Sequence, residues 1–267
     1  NDASVAMAEF IAGDEQAFAD IMNQVAQKLG MTRTQFKNAT GLPNEGHYTT
    51  AKDLSLLARA LIRDFPEHYK VYKEKYFSYN DIRQANRNSL LWRDDAVDGM
   101  KTGHTQAAGF CLVASAEKKE LRLISVVMGA TSERSRSTES QKLINYGFRY
   151  FESVKLYDGL ESLKRVKVWG GLHESLDVGI EAPVQLTIPN GARGALAAEV
   201  TLDPVIKAPV GHGQTLGLLR ISLEGETLLE RPVVALNAVD EAGFVSSLID
   251  EVSLFFLSMF SGDPLAL

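Results

Sequence analysis

Between residues 110 and 128 the chain carries two apolar runs, CLVA and LRLISVVM, separated only by a short, partly charged stretch. Each run is apolar at odd and even positions alike, so neither strand can leave one face in water. The pair reads as a hairpin, strands 110–115 and 121–128 around a turn at 116–120, central in an antiparallel sheet. A sheet of this kind needs cover on both faces, and the flanking segments have helical spacing.

Segment 4–30 reads as helical. Asp14 caps a helix whose apolar face is Ala17, Phe18, Ile21, Met22, Val25 and Leu29, and Gly30 stops it. Residues 38–48 are a turn-rich loop. Thr50 and Asp53 resemble a capping box that opens a helix through Leu54, Leu57, Ala58 and Leu61, ending before Pro66. Residues 77–110 are mostly polar, with Gly99 and Gly103 marking turns. Residues 133–150 return to helix, with Leu143, Ile144, Phe148 and Tyr150 as core candidates.

After Phe151 the pattern changes. Short strands recur at 166–169, 184–188, 198–202, 217–223 and 227–234, separated by Gly, Pro and Asn turns. That is the signature of a small all-β domain. The division expected is 1–152, an α/β (α+β) domain with an antiparallel sheet and flanking helices; 153–240, a β-sandwich; and 241–267, an amphipathic helix. On that helix Val245, Leu248, Ile249, Val252, Phe255, Phe256, Met259 and Phe260 share one face.

Composition narrows the chemistry. A net charge of -6 argues against a globally basic nucleic-acid-binding face, so no nucleic acid partner is expected. The single cysteine, Cys111, has no internal disulfide partner and reads as a buried small hydrophobe. The five histidines show no zinc-ligand spacing, so no metal and no cofactor is expected. No apolar run approaches the roughly 18 residues that span a bilayer. The chain opens on Asn1 rather than Met, as a processed or truncated product would.

The sharpest chemical signal is Lys101-Thr102-Gly103. An ammonium beside a hydroxyl can hold a carboxylate and ease proton transfer, and glycine at the third position lets a substrate lie against a strand backbone. Three residues recur by chance in many chains. The apolar hairpin that follows supplies the context, since an active-site edge strand would precede it.

The stretches NDASVAMAEFIAG, ATGLPNEGHYTTAKDLSLLARALI, KEKYFSYNDIRQANRNSLLW, DGMKTGHTQAAGFCLVASA and RSRSTESQKLINYGFRYFE resemble the D-alanyl-D-alanine carboxypeptidases, low-molecular-mass penicillin-binding proteins. The resemblance extends over nearly the whole chain and implies a transpeptidase-like fold for the first domain. It implies that a serine in S-x-x-K attacks the penultimate D-Ala carbonyl of a peptidoglycan stem peptide, and that β-lactams acylate the same serine. The family's motifs run S-x-x-K, S-G-N, K-T-G. Asn1 matches the last residue of S-G-N, which puts the nucleophile upstream of residue 1.

The resemblance further implies that Lys101 supports the reacting centre, that Thr102 binds the substrate carboxylate with Gly103 and Thr105 beside it, and that the His104 N–H joins the oxyanion hole. Asn1 would contact the substrate amide. Arg136 would help bind the carboxylate, or else is a solvated helix charge. The terminal helix would attach the protein to the outer face of the inner membrane, in the periplasm, or else packs on its own β domain. Two look-alikes are set aside: Ser115-Ala116-Glu117-Lys118 as part of the hairpin turn, and Ser78-Tyr79-Asn80 as structural. A non-catalytic cell-wall or β-lactam-binding module and a β-lactamase remain alternatives.

Overall fold

The computed structural model describes residues 1–243. The amphipathic stretch after them lies outside the described residues. Two compact units divide the chain, Asn1–Tyr150 and Phe151–Leu267.

The first unit opens with α1 (Asp2–Ala12) and α2 (Glu15–Lys28). The expected single helical segment is broken at Gly13, whose φ of 87° few other residues would adopt without strain. Asp14 then caps α2 by accepting from the Ala17 amide at 2.7 Å. The side α2 buries is Ala19 and Ala26, while Ile21 and Val25 of the expected apolar face stay exposed.

Helix α3 (Ala51–Asp64) starts where the sequence indicates, with Thr50 Oγ1 accepting from the Asp53 amide at 3.1 Å. The Asp53 carboxylate closes no capping box. It accepts from the Arg33 amide at 2.8 Å and the Thr34 hydroxyl at 2.6 Å, tying the 31–36 segment to the helix start. The short α4 (Pro66–Tyr69) follows.

Residues 77–110 hold more order than their polarity suggests. An exposed hairpin, β1 (Tyr76–Tyr79) and β2 (Ile82–Ala85), is followed by a 3-10 turn at Ser89–Trp92 and then by β3 (Val97–Thr105). Strand β3 pairs antiparallel with β4 (Gly109–Lys118), which pairs antiparallel with β5 (Leu121–Ala130), giving the order β3-β4-β5.

The turn between β4 and β5 is shorter than expected. Glu117 pairs with Arg122 and Lys118 with Leu121, leaving Lys119 and Glu120 at φ 50° and 62°. This is the primed two-residue geometry that suits a twisted hairpin. It corrects the placement of Ser115: the residue sits inside β4, fully buried, opposite Ile124, and not in a turn.

Helix α5 (Glu133–Tyr150) covers one face of the sheet, where Leu112, Ala114, Ala116 and Ile144 pack together with Leu90, Leu91 and Val97. Its buried positions are Arg136, Ser137, Ser140, Ile144 and Gly147; Leu143 and Tyr150, expected in the core, are exposed. Helix α3 lies against the other face, with Ala58, Tyr69 and Met100 at the contact and Val113 and Ile124 packed on them.

The second unit is all β. A sheet ordered β10 (Leu196–Leu202), β11 (Thr215–Leu223), β12 (Glu226–Ala235), β8 (Ser175–Gly179), β7 (Ser162–Lys167) accompanies a pair formed by β6 (Phe151–Tyr157) and β9 (Val184–Pro189). Both contribute to one core that includes Val178, Val184, Leu219, Ile221 and Val233. The strand expected at 166–169 lies earlier, as β7, and Trp169 instead bridges to Lys207. Strands β6 and β8 had no clear sequence signal.

Candidate active site

Strand β3 is the outer strand of its sheet among the described residues, and it carries Lys101-Thr102-Gly103 in the stretch opposite Cys111–Val113. Strand alternation puts Lys101, Gly103 and Thr105 on one side and Thr102 and His104 on the other. Lys101, Gly103 and His104 are exposed, Thr102 is buried and Thr105 is half-buried.

A groove of about 340 Å³ runs between β3–β5 and α3. Its floor is apolar, from Leu54, Leu57, Leu61, Val113 and Val126, and Lys101, Thr102 and Gly103 form its polar margin. A side chain added at Gly103 would meet nothing nearer than the Cys111 Cβ at 3.9 Å, so this margin is open.

The Lys101 ammonium folds back along the strand and donates to the Thr102 carbonyl at 2.6 Å. Its pKa is lowered, first by desolvation from the surrounding protein and then by the positive charges of Arg87 and Arg136. Three cationic side chains therefore share one region, with no carboxylate among the causes of the Lys101 shift.

Arg136 reaches this region from α5. Nη1 donates to the Gly103 carbonyl at 3.2 Å, and Nη2 approaches Glu133 at 3.4 Å. The residue is only 2% exposed, yet its Nε finds no acceptor among the described residues. A guanidinium this buried usually has a closer carboxylate. The Phe110 ring lies 5.6 Å from its central carbon, and His104 stacks on Phe110 at 3.9 Å between centroids. Thr105 Oγ1 accepts from the Ala108 amide at 3.0 Å and so helps close the β3–β4 turn.

Asn1 stands exposed at the start of α1, its carbonyl accepting from the Ser4 and Val5 amides. Among the described residues no hydrogen bond joins it to the Lys101 region. Neither look-alike motif forms a nucleophile pair. Ser115 accepts from Arg122 Nη1 at 2.7 Å inside β4, and Lys118, an odd number of residues on, projects from the other face. Ser78 is exposed on the β1–β2 hairpin.

Sequence reasoning passed over the groups that hold β3. Asn88 donates to the Gly99 carbonyl at 2.8 Å, Tyr69 Oη donates to Asp98 at 3.1 Å, and Arg122 clasps Asp98 at 2.7 and 3.0 Å. These partners lie 11 to 29 residues apart, so no local pattern exposes them. Asn88 did carry a faint signal, as a capping residue before the apolar turn Ser89–Trp92.

Comparison with known proteins identifies the family. Residues 1–132 match the D-alanyl-D-alanine carboxypeptidase family, and residues 151–241 match the C-terminal domain of penicillin-binding protein 5. The D-alanyl-D-alanine carboxypeptidase DacA of Escherichia coli (strain K12) is 43% identical over 96% of this chain, which spans 64% of that relative's length. DacC of the same organism is 42% identical over 97% of the chain and 66% of the relative. The structure of penicillin binding protein 5 from Haemophilus influenzae superposes with a TM-score of 0.81 at 39% identity, covering 90% of this chain and 71% of that one. On these grounds the chain belongs to the D-alanyl-D-alanine carboxypeptidases of the low-molecular-mass penicillin-binding protein class.

Proposed function

We propose that this chain supplies the K-T-G side of a serine D,D-carboxypeptidase that removes the terminal D-Ala from peptidoglycan stem pentapeptides. The observation that carries the reading is Arg136, a buried guanidinium under-supplied with acceptors and anchored to the carbonyl of Gly103. A substrate ending in a free carboxylate would provide the missing anion, with Thr102 as a second donor and Gly103 and Thr105 lining the approach.

In this reading the nucleophilic serine and its S-x-x-K lysine come from residues outside 1–267. The serine Oγ bonds to the penultimate D-Ala carbonyl carbon, its proton passing to that lysine. The C–N bond then breaks, D-Ala departs after taking up a proton, and water hydrolyses the ester. Lys101, protonated, supports the charge that develops at the carbonyl oxygen, and the His104 amide completes the oxyanion hole. Asn1 contacts the substrate amide. A β-lactam ring presents an equivalent carbonyl and carboxylate and acylates the same serine. The enzyme would work in the periplasm, held at the outer face of the inner membrane by the apolar side of residues 241–267.

The test is intact mass of the protein carrying this chain, with and without a fluorescent penicillin, alongside D-Ala release from a peptide ending in D-Ala-D-Ala. One covalent adduct together with D-Ala release is the expected result. An adduct without D-Ala release would indicate a binding module, rapid penicillin turnover a β-lactamase, and no adduct would overturn the reading.

A further inference from the structure

Strand β3 enters the Lys101–Gly103 segment irregularly. Its pairing with β4 slips between Val97 and Gly99, and its other edge is unpaired among the described residues. Backbone pairing alone therefore does not fix where the segment begins. Side chains hold it instead, and they converge on Gly99, two residues before Lys101.

On one side is Asn88, 1% exposed. Its Nδ2 donates to the Gly99 carbonyl at 2.8 Å, and its Oδ1 accepts from the Leu90 amide at 3.2 Å. Its own amide donates to Asn86 Oδ1 at 2.9 Å. Asn86 in turn donates to the carbonyls of Tyr72 and Glu74 at 3.3 and 3.0 Å. On the other side a methyl group at Gly99 would overlap the Tyr69 hydroxyl and crowd the Tyr72 Cβ. Tyr69 is itself tied to Asp98.

We propose that Asn88 is a positioning residue for the catalytic strand, acting through the Gly99 carbonyl to set where Lys101 and Thr102 project. The inference rests on the reading of β3 as the substrate strand. A carboxamide is needed because one group must donate to Gly99 and accept from Leu90 together. Aspartate keeps the acceptor, loses the donor and sets a negative charge against the Gly99 oxygen. Alanine loses both functions. Asn86→Ala leaves the Asn88 carboxamide in place but removes the acceptor behind it, together with the bonds to the Tyr72 and Glu74 carbonyls.

The experiment uses the protein carrying this chain and its nucleophile. Acylation by a fluorescent penicillin is resolved into the binding constant and the acylation rate constant for wild type, Asn88→Asp, Asn88→Ala, Asn86→Ala and Lys101→Ala. Circular dichroism establishes folding at the assay temperature. Misplacement of reacting groups should lower the acylation rate constant of folded Asn88→Asp and Asn88→Ala by roughly 10- to 100-fold, with a smaller loss for Asn86→Ala and binding changed by less than about 3-fold.

Folded Asn88 variants that acylate like wild type would overturn the proposal. So would failure of both Asn88 variants and Asn86→Ala to fold, which would assign Asn88 to stability alone. A wild type that is never acylated, or a Lys101→Ala variant that acylates normally, would instead remove the reading of β3 on which the proposal rests.

Discussion

Arg136 Nη1 donates to the carbonyl of Gly103 at 3.2 Å, so a guanidinium on α5 is fastened to the last residue of the K-T-G triad. Arg136→Ala should lower kcat/KM on a peptide ending in D-Ala-D-Ala carboxylate by roughly 10- to 100-fold, the scale of a charge-assisted hydrogen bond. Arg136→Lys should recover only part, because an ammonium lacks the planar fork. Steady-state kinetics on the acid and on its C-terminal amide check this; an equal loss on both would remove the carboxylate role.

Lys101 is held below its ordinary pKa of 10.5, first by desolvation and then by Arg87 and Arg136. A base whose native pKa lies below its unfolded value destabilises the fold while protonated, and stability rises with pH between the two values. Lys101→Met should therefore leave the Tm at pH 7 at or above wild type while acylation collapses. The basic limb of the acylation rate should fall below pH 10.5 and move upward in Arg136→Ala, which removes a positive neighbour. Calorimetry and a pH series of acylation rates test both statements.

Gly99 has no room for a Cβ, since Tyr69 and Tyr72 fill the space. Gly99→Ala should destabilise the protein by about 1–3 kcal/mol, the usual cost of overpacking. Tyr69→Phe in the same chain should recover part of that by removing the hydroxyl, although it also removes the bond to Asp98. Urea denaturation of the two single variants and the double variant gives the coupling directly.

The Asp53 carboxyl is held below 3.8, chiefly by the Thr34 hydroxyl, with burial opposing and the Arg33 amide assisting. A carboxyl with a depressed native pKa contributes stability that is complete above the unfolded value and is lost as pH falls through the native one. The Tm of Asp53→Asn should lie below wild type near pH 6, and the gap should close only as the pH drops below about 3.8. A gap that is the same at every pH would mean that ionisation of Asp53 plays no part.

The sequence and the structure agree best where one segment decides its own conformation. Asp14 and Thr50 start helices because their side chains answer neighbouring amides, and the apolar runs around Leu112 and Val126 pair because nothing else can cover them. Strand β3 was legible only from its place before the hairpin and not from its own residues: Asp98, Lys101, Thr102, His104 and Thr105 show no apolar alternation, and its conformation is imposed by β4. The hairpin turn read too long because Glu117 and Lys118 are charged and exposed, as turn residues often are, yet both still pair across the ladder. The Asp98–Arg122 and Asn88–Gly99 contacts depend on the tertiary fold, and spacing along the chain does not reveal them.

The three-stranded sheet has two unpaired edges among the described residues, and they differ in how readily they would accept a stranger. Along β3 the side chains include Asp98, Lys101 and His104, whose charge and polarity discourage a second copy from docking. Along β5 the side chains alternate between the covered faces, Ile124 packing with Ala58 of α3 and Leu123 against Gly147 of α5, and only Met128 of its large apolar residues is exposed. In a preparation of residues 1–267 alone, β5 is therefore the edge with fewer charges to deter pairing, Arg122 being the one along it.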